Sequence, residues 1–316
     1  MLRVVGCRFV FLFTFSLAGC SIITPPPLTF DTQKWSEDGF TGRRLSTQHF
    51  DIYSTLRDED FESALPGFVE AAYGAYEKLL PAPTGGTERL VLYVFGLRTE
   101  WQAFTERRFP VRFPIYRRIR NGGYTEGNVS ALFCRDHGSA LATIAHEGWH
   151  QYVSSRFTQV LPAWLNEGLA CGFESVDSFG VRPRFDPNQN TFRINSLREG
   201  IQQDNLMSLA EIVETDAGRM LAGKSLRNTD AYYAQVWALI TFLRRGAGGR
   251  YRADFDRLLE DIADDTLGKR LSADRLLSGE SAATTLGETV FRIYFHTTPK
   301  ELEAVYYDHL VRLAGY

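Results

Sequence analysis

Two stretches, SALATIAHEGWHQYVSSRF (139–157) and PAWLNEGLACGFESV (162–176), read as helices separated by a short turn. Helices so joined must pack side by side, and no other stretch restricts the fold as much. On the first, His146 and His150 lie four apart, so both imidazoles leave the same face, one turn above the other. Glu147 projects one residue round from His146, too far offset to share that point but close enough to reach a water beside it. On the second, Glu167 follows His150 by sixteen intervening residues and can face the histidine pair. Gly148 and Gly168 sit next to these positions. A helical glycine costs about 0.5–1 kcal/mol against alanine, a cost that a close helix–helix contact would offset.

One isolated histidine on a half-buried helix is ordinarily a satisfied core residue. A pair at this spacing presents two nitrogens to one small tetrahedral cation, and His-Glu-x-x-His on a helix is a pattern with a known metal-hydrolase mechanism. Catalytic zinc takes three protein ligands and leaves a fourth position open. The expectation is therefore a Zn2+ site built from His146, His150 and Glu167, with Glu147 as the base for a water at the open position. A bland reading of Glu167, as a solvated helix residue, stands beside it.

HEGWHQ followed by LPAWLNEGLA resembles the gluzincin metallopeptidases, in particular the bacterial peptidase-MA-like group, over roughly residues 47–245. The resemblance implies a peptide or protein substrate, His146, His150 and Glu167 as zinc ligands, and Glu147 as general base. Many gluzincins place an acidic residue four positions after the third ligand to orient a histidine. Here that position is Cys171, which leaves Asn166 or a backbone carbonyl for the task. A later helix with a Tyr-x-Gln-like segment implies a phenolic donor to the reaction oxyanion. Tyr233 in DAYYAQVW is the candidate, with Tyr232 next to it as the alternative and core packing as the bland reading of either. His137 is a further possible donor or a simple loop residue, whereas His49, His296 and His309 carry no such signal. The strand before the zinc helix would edge the cleft.

The rest of the chain sets the frame. HFDIYST alternates like a strand, FESALPGFVEAAYGAYEKLL is amphipathic with Pro66 at its start, and RLVLYVFG reads as a buried strand. RTEWQAFTERRF is a short helix, residues 110–123 are irregular and basic, and GGYTEGNVSALFCRD suggests a hairpin turning at Glu126–Asn128. Residues 177–195 read as an excursion. SLAEIVET, DAYYAQVWALITFLRR, YRADFDRLLEDIAD and KELEAVYYDHLVRL follow as helices. The fold class expected is α+β: a small N-terminal mixed sheet with helices, then a mostly helical half carrying the zinc helices. The domain spans 45–316, with a strand-rich lobe at 45–138 and a helical lobe at 139–316.

Ahead of it, MLRVVGCRFVFLFTFSLAGCS has basic residues and then an apolar run too short to span a bilayer, the form of a secretory signal peptide. It ends in LAGC, which resembles a bacterial lipobox. Residues 1–19 are then a lipoprotein signal, Cys20 the lipidation site, and 20–44 a tether stiffened by prolines 25–27. The resemblance implies the bacterial cell envelope, with a lipid anchor to a membrane; Ser21 after the cysteine, by resemblance to the sorting rule of enteric bacteria, favours the outer membrane facing the periplasm. Cys134 and Cys171 remain, open to a disulfide or to two buried thiols. The net charge of −3 over 316 residues argues against a broad surface for nucleic acid, and nothing in the chain sets an oligomeric state. Against zinc-dependent peptide hydrolysis stand two other readings: a non-catalytic envelope binding or scaffold protein that keeps the fold, and hydrolysis of another amide.

Overall fold

The computed structural model describes residues 29–83, 88–176, 183–215, 227–278 and 285–316. The fold is α+β, with a mixed sheet in the N-terminal half and helices dominating the remainder. Six strands, β1 (Asp31–Glu37), β2 (Phe40–Ser46), β3 (Phe50–Ser54), β4 (Leu90–Phe95), β5 (Gly123–Glu126) and β6 (Val129–Phe133), lie in the order β1-β2-β3-β4-β6-β5. β3, β4 and β6 run parallel, and β1, β2 and β5 join antiparallel at the two flanks. Parallel neighbours need crossovers. α1 (Glu59–Leu79) supplies the first, and α2 (Arg98–Arg108) with the short α3 (Phe113–Tyr116) lies in the second.

Period-2 alternation divides the sheet between two cores. Leu90, Leu92, Val94 and Leu132 face the larger one, shared with α1 and the later helices. Phe95, Ala131 and Phe133 face a smaller aromatic core closed by Trp101 and Phe104 of α2. α4 (His137–Arg156) lies on the larger-core face. Asp136 caps it by accepting from the Ser139 N–H at 2.8 Å, and Gln151 ties it to the sheet by donating to Val91 O (2.8 Å) and Asn128 O (2.7 Å). α5 (Ala163–Gly172) returns beside α4. The chain then builds α6 (Thr191–Gln202), α7 (Leu209–Glu214), α8 (Arg227–Arg245), α9 (Arg252–Ala263), α10 (Leu267–Ser278), α11 (Leu286–Phe295) and α12 (Pro299–Ala314). Among the described residues no helix is long and apolar enough to cross a membrane.

Several expectations need correction. Residues 31–44, assigned to the tether, are strands β1 and β2, so the folded part begins before residue 45. Only Trp35 of β1 is buried, so this polar flank strand lacks the alternation that marks a half-buried one. Pro66 sits well inside α1 because Asp58, eight residues earlier, caps the helix by accepting from the Phe61 N–H at 3.0 Å. Part of the 177–195 excursion is helical: α6 starts at Thr191, capped by Asn190. α10 and α11 are additional to the four late helices expected. The 1–19 leader, Cys20 and the triple proline lie outside the described residues.

Candidate metal centre

The helical register of α4 aims both imidazoles at α5. His146 Nε2 and His150 Nε2 lie 3.2 Å apart, and Glu167 Oε2 lies 3.3 Å from the first and 3.2 Å from the second. Zinc bonds of roughly 2.0–2.1 Å in tetrahedral geometry imply ligand–ligand separations of about 3.3 Å. The three atoms thus form one face of a tetrahedron of the right size, and the donor set of two neutral nitrogens and one carboxylate suits zinc. All three side chains are largely buried. Burial opposes the charge on Glu167, yet His150 and His146 hold its carboxyl well below the usual range. Burial would likewise lower His146, but hydrogen bonds with Cys171, Glu167 and Glu174 outweigh it and raise the imidazole well above 6.5. The cluster therefore favours positive charge at this point.

Glu147 is set apart from the triangle, as its offset requires. Its Oε2 accepts from the Thr125 hydroxyl at 2.7 Å. Ser130 Oγ lies 2.7 Å from Thr125 Oγ1 and must be the donor there, since the threonine proton is already committed to Glu147. β5 and β6 thus aim the carboxylate, and β5 is the end strand of the sheet order.

Tyr233 completes the group from α8. Its ring centre lies 5.8 Å from that of His146, and it lines a cleft of about 1340 Å3 together with His146 and Glu147. Burial, reinforced by the charges of Glu167 and Glu147, pushes its phenol well above 10, so it stays protonated as a donor. Tyr232 is excluded: it is fully buried and its hydroxyl donates to Thr215 O at 3.2 Å. His137 is excluded as well, for it stacks on Phe61 and lies 3.2 Å from Asp58. His49 pairs with Glu70 at 2.6 Å.

The support behind His146 differs from the expectation. Asn166 accepts from the Trp149 indole at 2.9 Å, which pins α5 to α4 and orients no histidine. Glu174 takes that role, with Oε1 2.8 Å from His146 Nδ1. Its Oε2 accepts from Asn190 Nδ2 at 2.8 Å and Arg193 Nε at 2.7 Å. Burial raises the Glu174 carboxyl, but Arg193 and His146 prevail and bring it down to about 2. The Arg193 guanidinium also lies 5.0 Å over the Tyr233 ring. His146, Cys171 and Glu174 form a second group that could hold an ion, but the neighbouring guanidinium already neutralises that carboxylate and repels a cation. Cys134 and Cys171 are both free thiols, and burial pushes both up.

Residues 140–264 match a family model described as a protein of unknown function, DUF1570. The matched segment runs from α4 to the end of α9 and contains His146, Glu147, His150, Glu167, Glu174, Arg193 and Tyr233. A search of curated proteins finds no match.

Proposed function

We propose that this protein is a zinc-dependent peptidase. The observation that carries the reading is the triangle of His146 Nε2, His150 Nε2 and Glu167 Oε2, sized for tetrahedral zinc and bordered by a carboxylate that belongs to no ligand set. A purely structural zinc has no use for Glu147. His146, His150 and Glu167 would hold the ion. When bound, zinc supplies Lewis acidity, which polarises a carbonyl and makes a neighbouring water acidic near neutral pH. Glu147, held by Thr125, takes the proton of the attacking water and passes it to the departing amine. The Tyr233 phenol donates to the carbonyl oxygen as negative charge builds on it. β5, at the end of the sheet, offers backbone groups to an extended peptide, which gives affinity with little sequence demand.

The test pairs metal analysis with peptide cleavage. Wild-type protein is expected to carry a single zinc per chain and to cleave unstructured peptides. Glu147→Gln should keep the zinc and lose cleavage by at least about 100-fold, and Glu167→Ala should lose both. Cleavage that survives in Glu147→Gln, or full zinc in Glu167→Ala, would refute the assignment.

A further inference from the structure

The run RFPIYRRIRNGG, basic and irregular in sequence, has no part in the metal chemistry, yet it builds a wall of the same cleft. Arg118, Arg120 and Arg135 all line it and all are exposed. The wall is anchored. Arg98 donates to Ile119 O at 2.8 Å and to Arg117 O at 3.2 Å, Ile119 is buried in the aromatic core, and Arg135 donates to Asn121 Oδ1 at 2.6 Å. Arg118 and Arg120 thus stand on a fixed segment leading into β5, and Arg135, which follows β6 and also pairs with Asp136 at 3.2 Å, stands beside them through Asn121, in a chain whose net charge is negative. The same cleft is lined from α6 and α8 by exposed Glu199 and Asp230, which carry the opposite sign. A polyanion such as nucleic acid would meet those carboxylates. A peptide with a localised negative charge can place it on the arginine side alone.

We propose that the wall formed by Arg118, Arg120 and Arg135 recognises a carboxylate of the bound peptide. The proposal rests on the reading of the cleft as a peptide site. Arginine suits the task because its planar fork matches a carboxylate through paired N–H donors. The carboxylate has two possible sources, an internal Asp or Glu side chain and the peptide's own C-terminus. In a solvent-open cleft such contacts are modest, so a preference on the order of ten-fold is expected.

The experiment measures binding by fluorescence anisotropy on full-length, zinc-loaded Glu147→Gln protein. Four labelled peptides of one sequence are compared: neutral and amidated, one internal Glu with an amidated end, neutral with a free C-terminus, and one internal Lys with an amidated end. One carboxylate peptide or both should bind about ten-fold tighter than the neutral amide, and which one does identifies the source. The advantage should shrink at high salt and fall to within about two-fold in Arg118→Gln/Arg120→Gln. Equal binding of all four peptides, no binding of any, or a preference that persists in the double variant would overturn the proposal. Cleavage by the wild-type protein is scored separately on the same set. Selective binding without cleavage would sink the peptidase reading and leave the carboxylate site standing; cleavage without selectivity would do the reverse.

Discussion

The orientation of His146 depends on one carboxylate. With Nδ1–H donating to Glu174 at 2.8 Å, the lone pair of His146 falls on Nε2, the atom that belongs to the triangle. Glu174 is itself held by Asn190 and Arg193. Glu174→Gln keeps the shape but lowers the basicity behind His146 and leaves Arg193 buried beside an uncharged amide. Zinc affinity should fall by about 10–100-fold, the usual effect of losing such a supporting group. Competition with a chelator of known affinity measures this, and unchanged affinity would show that Glu174 does not orient the ligand. The grouping of His146, His150 and Glu167, with Glu147 set apart, is legible in the chain because helical spacing fixes which side chains share a face. Glu174 is hidden because it lies beyond Phe173, the C-cap of α5, where helical spacing no longer applies. Arg193 is hidden because its helix follows a turn-rich stretch, and Thr125 because a hydroxyl in a strand carries no mark of its partner.

The two glycines beside Glu147 and Glu167 show how the helices around the candidate site are spaced. Gly148 and Gly168 do not face one another. A Cβ on Gly148 would lie 2.7 Å from the Tyr76 hydroxyl of α1, which donates to Ala145 O at 2.6 Å. A Cβ on Gly168 would lie 2.6 Å from Val236 O and 2.6 Å from Ile240 Cγ1 of α8. Gly168 therefore sets how closely α5, with Glu167, approaches α8, with Tyr233. A methyl group there meets a backbone carbonyl, which cannot rotate aside. Gly168→Ala should destabilise the fold by about 1–3 kcal/mol despite the better helix propensity of alanine. Urea unfolding decides the sign: a stabilised variant would mean that α5 and α8 are not in close contact. The sequence indicates that each glycine needs a close neighbour, but not which one, since that is set by tertiary packing. Strands β3 to β6 and the long helices announce themselves by periodicity. β1 does not, because one buried side chain makes no pattern, and α10 is weakly marked, with Leu267 and Leu271 as its buried anchors. α11 is legible by the same rules: its Thr285–Glu288 capping box and buried Val290, Phe291, Tyr294 and Phe295 mark an amphipathic helix.

The candidate metal centre is flanked by Arg193 of α6 and Tyr233 of α8, far from α4 and α5 in sequence, so its surroundings depend on how the C-terminal part closes over α6 and α8. α12 makes that closure. Tyr306 donates to Gln235 O at 2.7 Å, Arg198 donates to Ala314 O at 3.0 Å, and the Leu209 N–H donates to Glu303 at 2.7 Å, tying α12 to α8, α6 and α7. Within this seam His309 Nε2 lies 2.9 Å from Thr241 Oγ1, and its ring packs 5.5 Å from that of Phe242. Burial, with a smaller contribution from Arg312, lowers His309 from 6.5 to about 4. The folded protein therefore resists protonating a residue that the unfolded chain protonates readily. Above pH 6.5 His309 is neutral in both states and contributes no pH dependence. Between pH 6.5 and 4 the unfolded state binds the extra proton, so stability falls with pH. Full shielding would make the loss roughly 3 kcal/mol, and the partial exposure of the ring reduces it to about 1–2 kcal/mol. His309→Gln keeps a polar partner for Thr241 and removes the titration. Stability followed by urea unfolding from pH 7 to 4 should fall less steeply in His309→Gln than in wild type, by about that amount. Identical pH slopes in the two proteins would mean that His309 is solvated and that the α8–α12 seam is looser than its hydrogen bonds indicate.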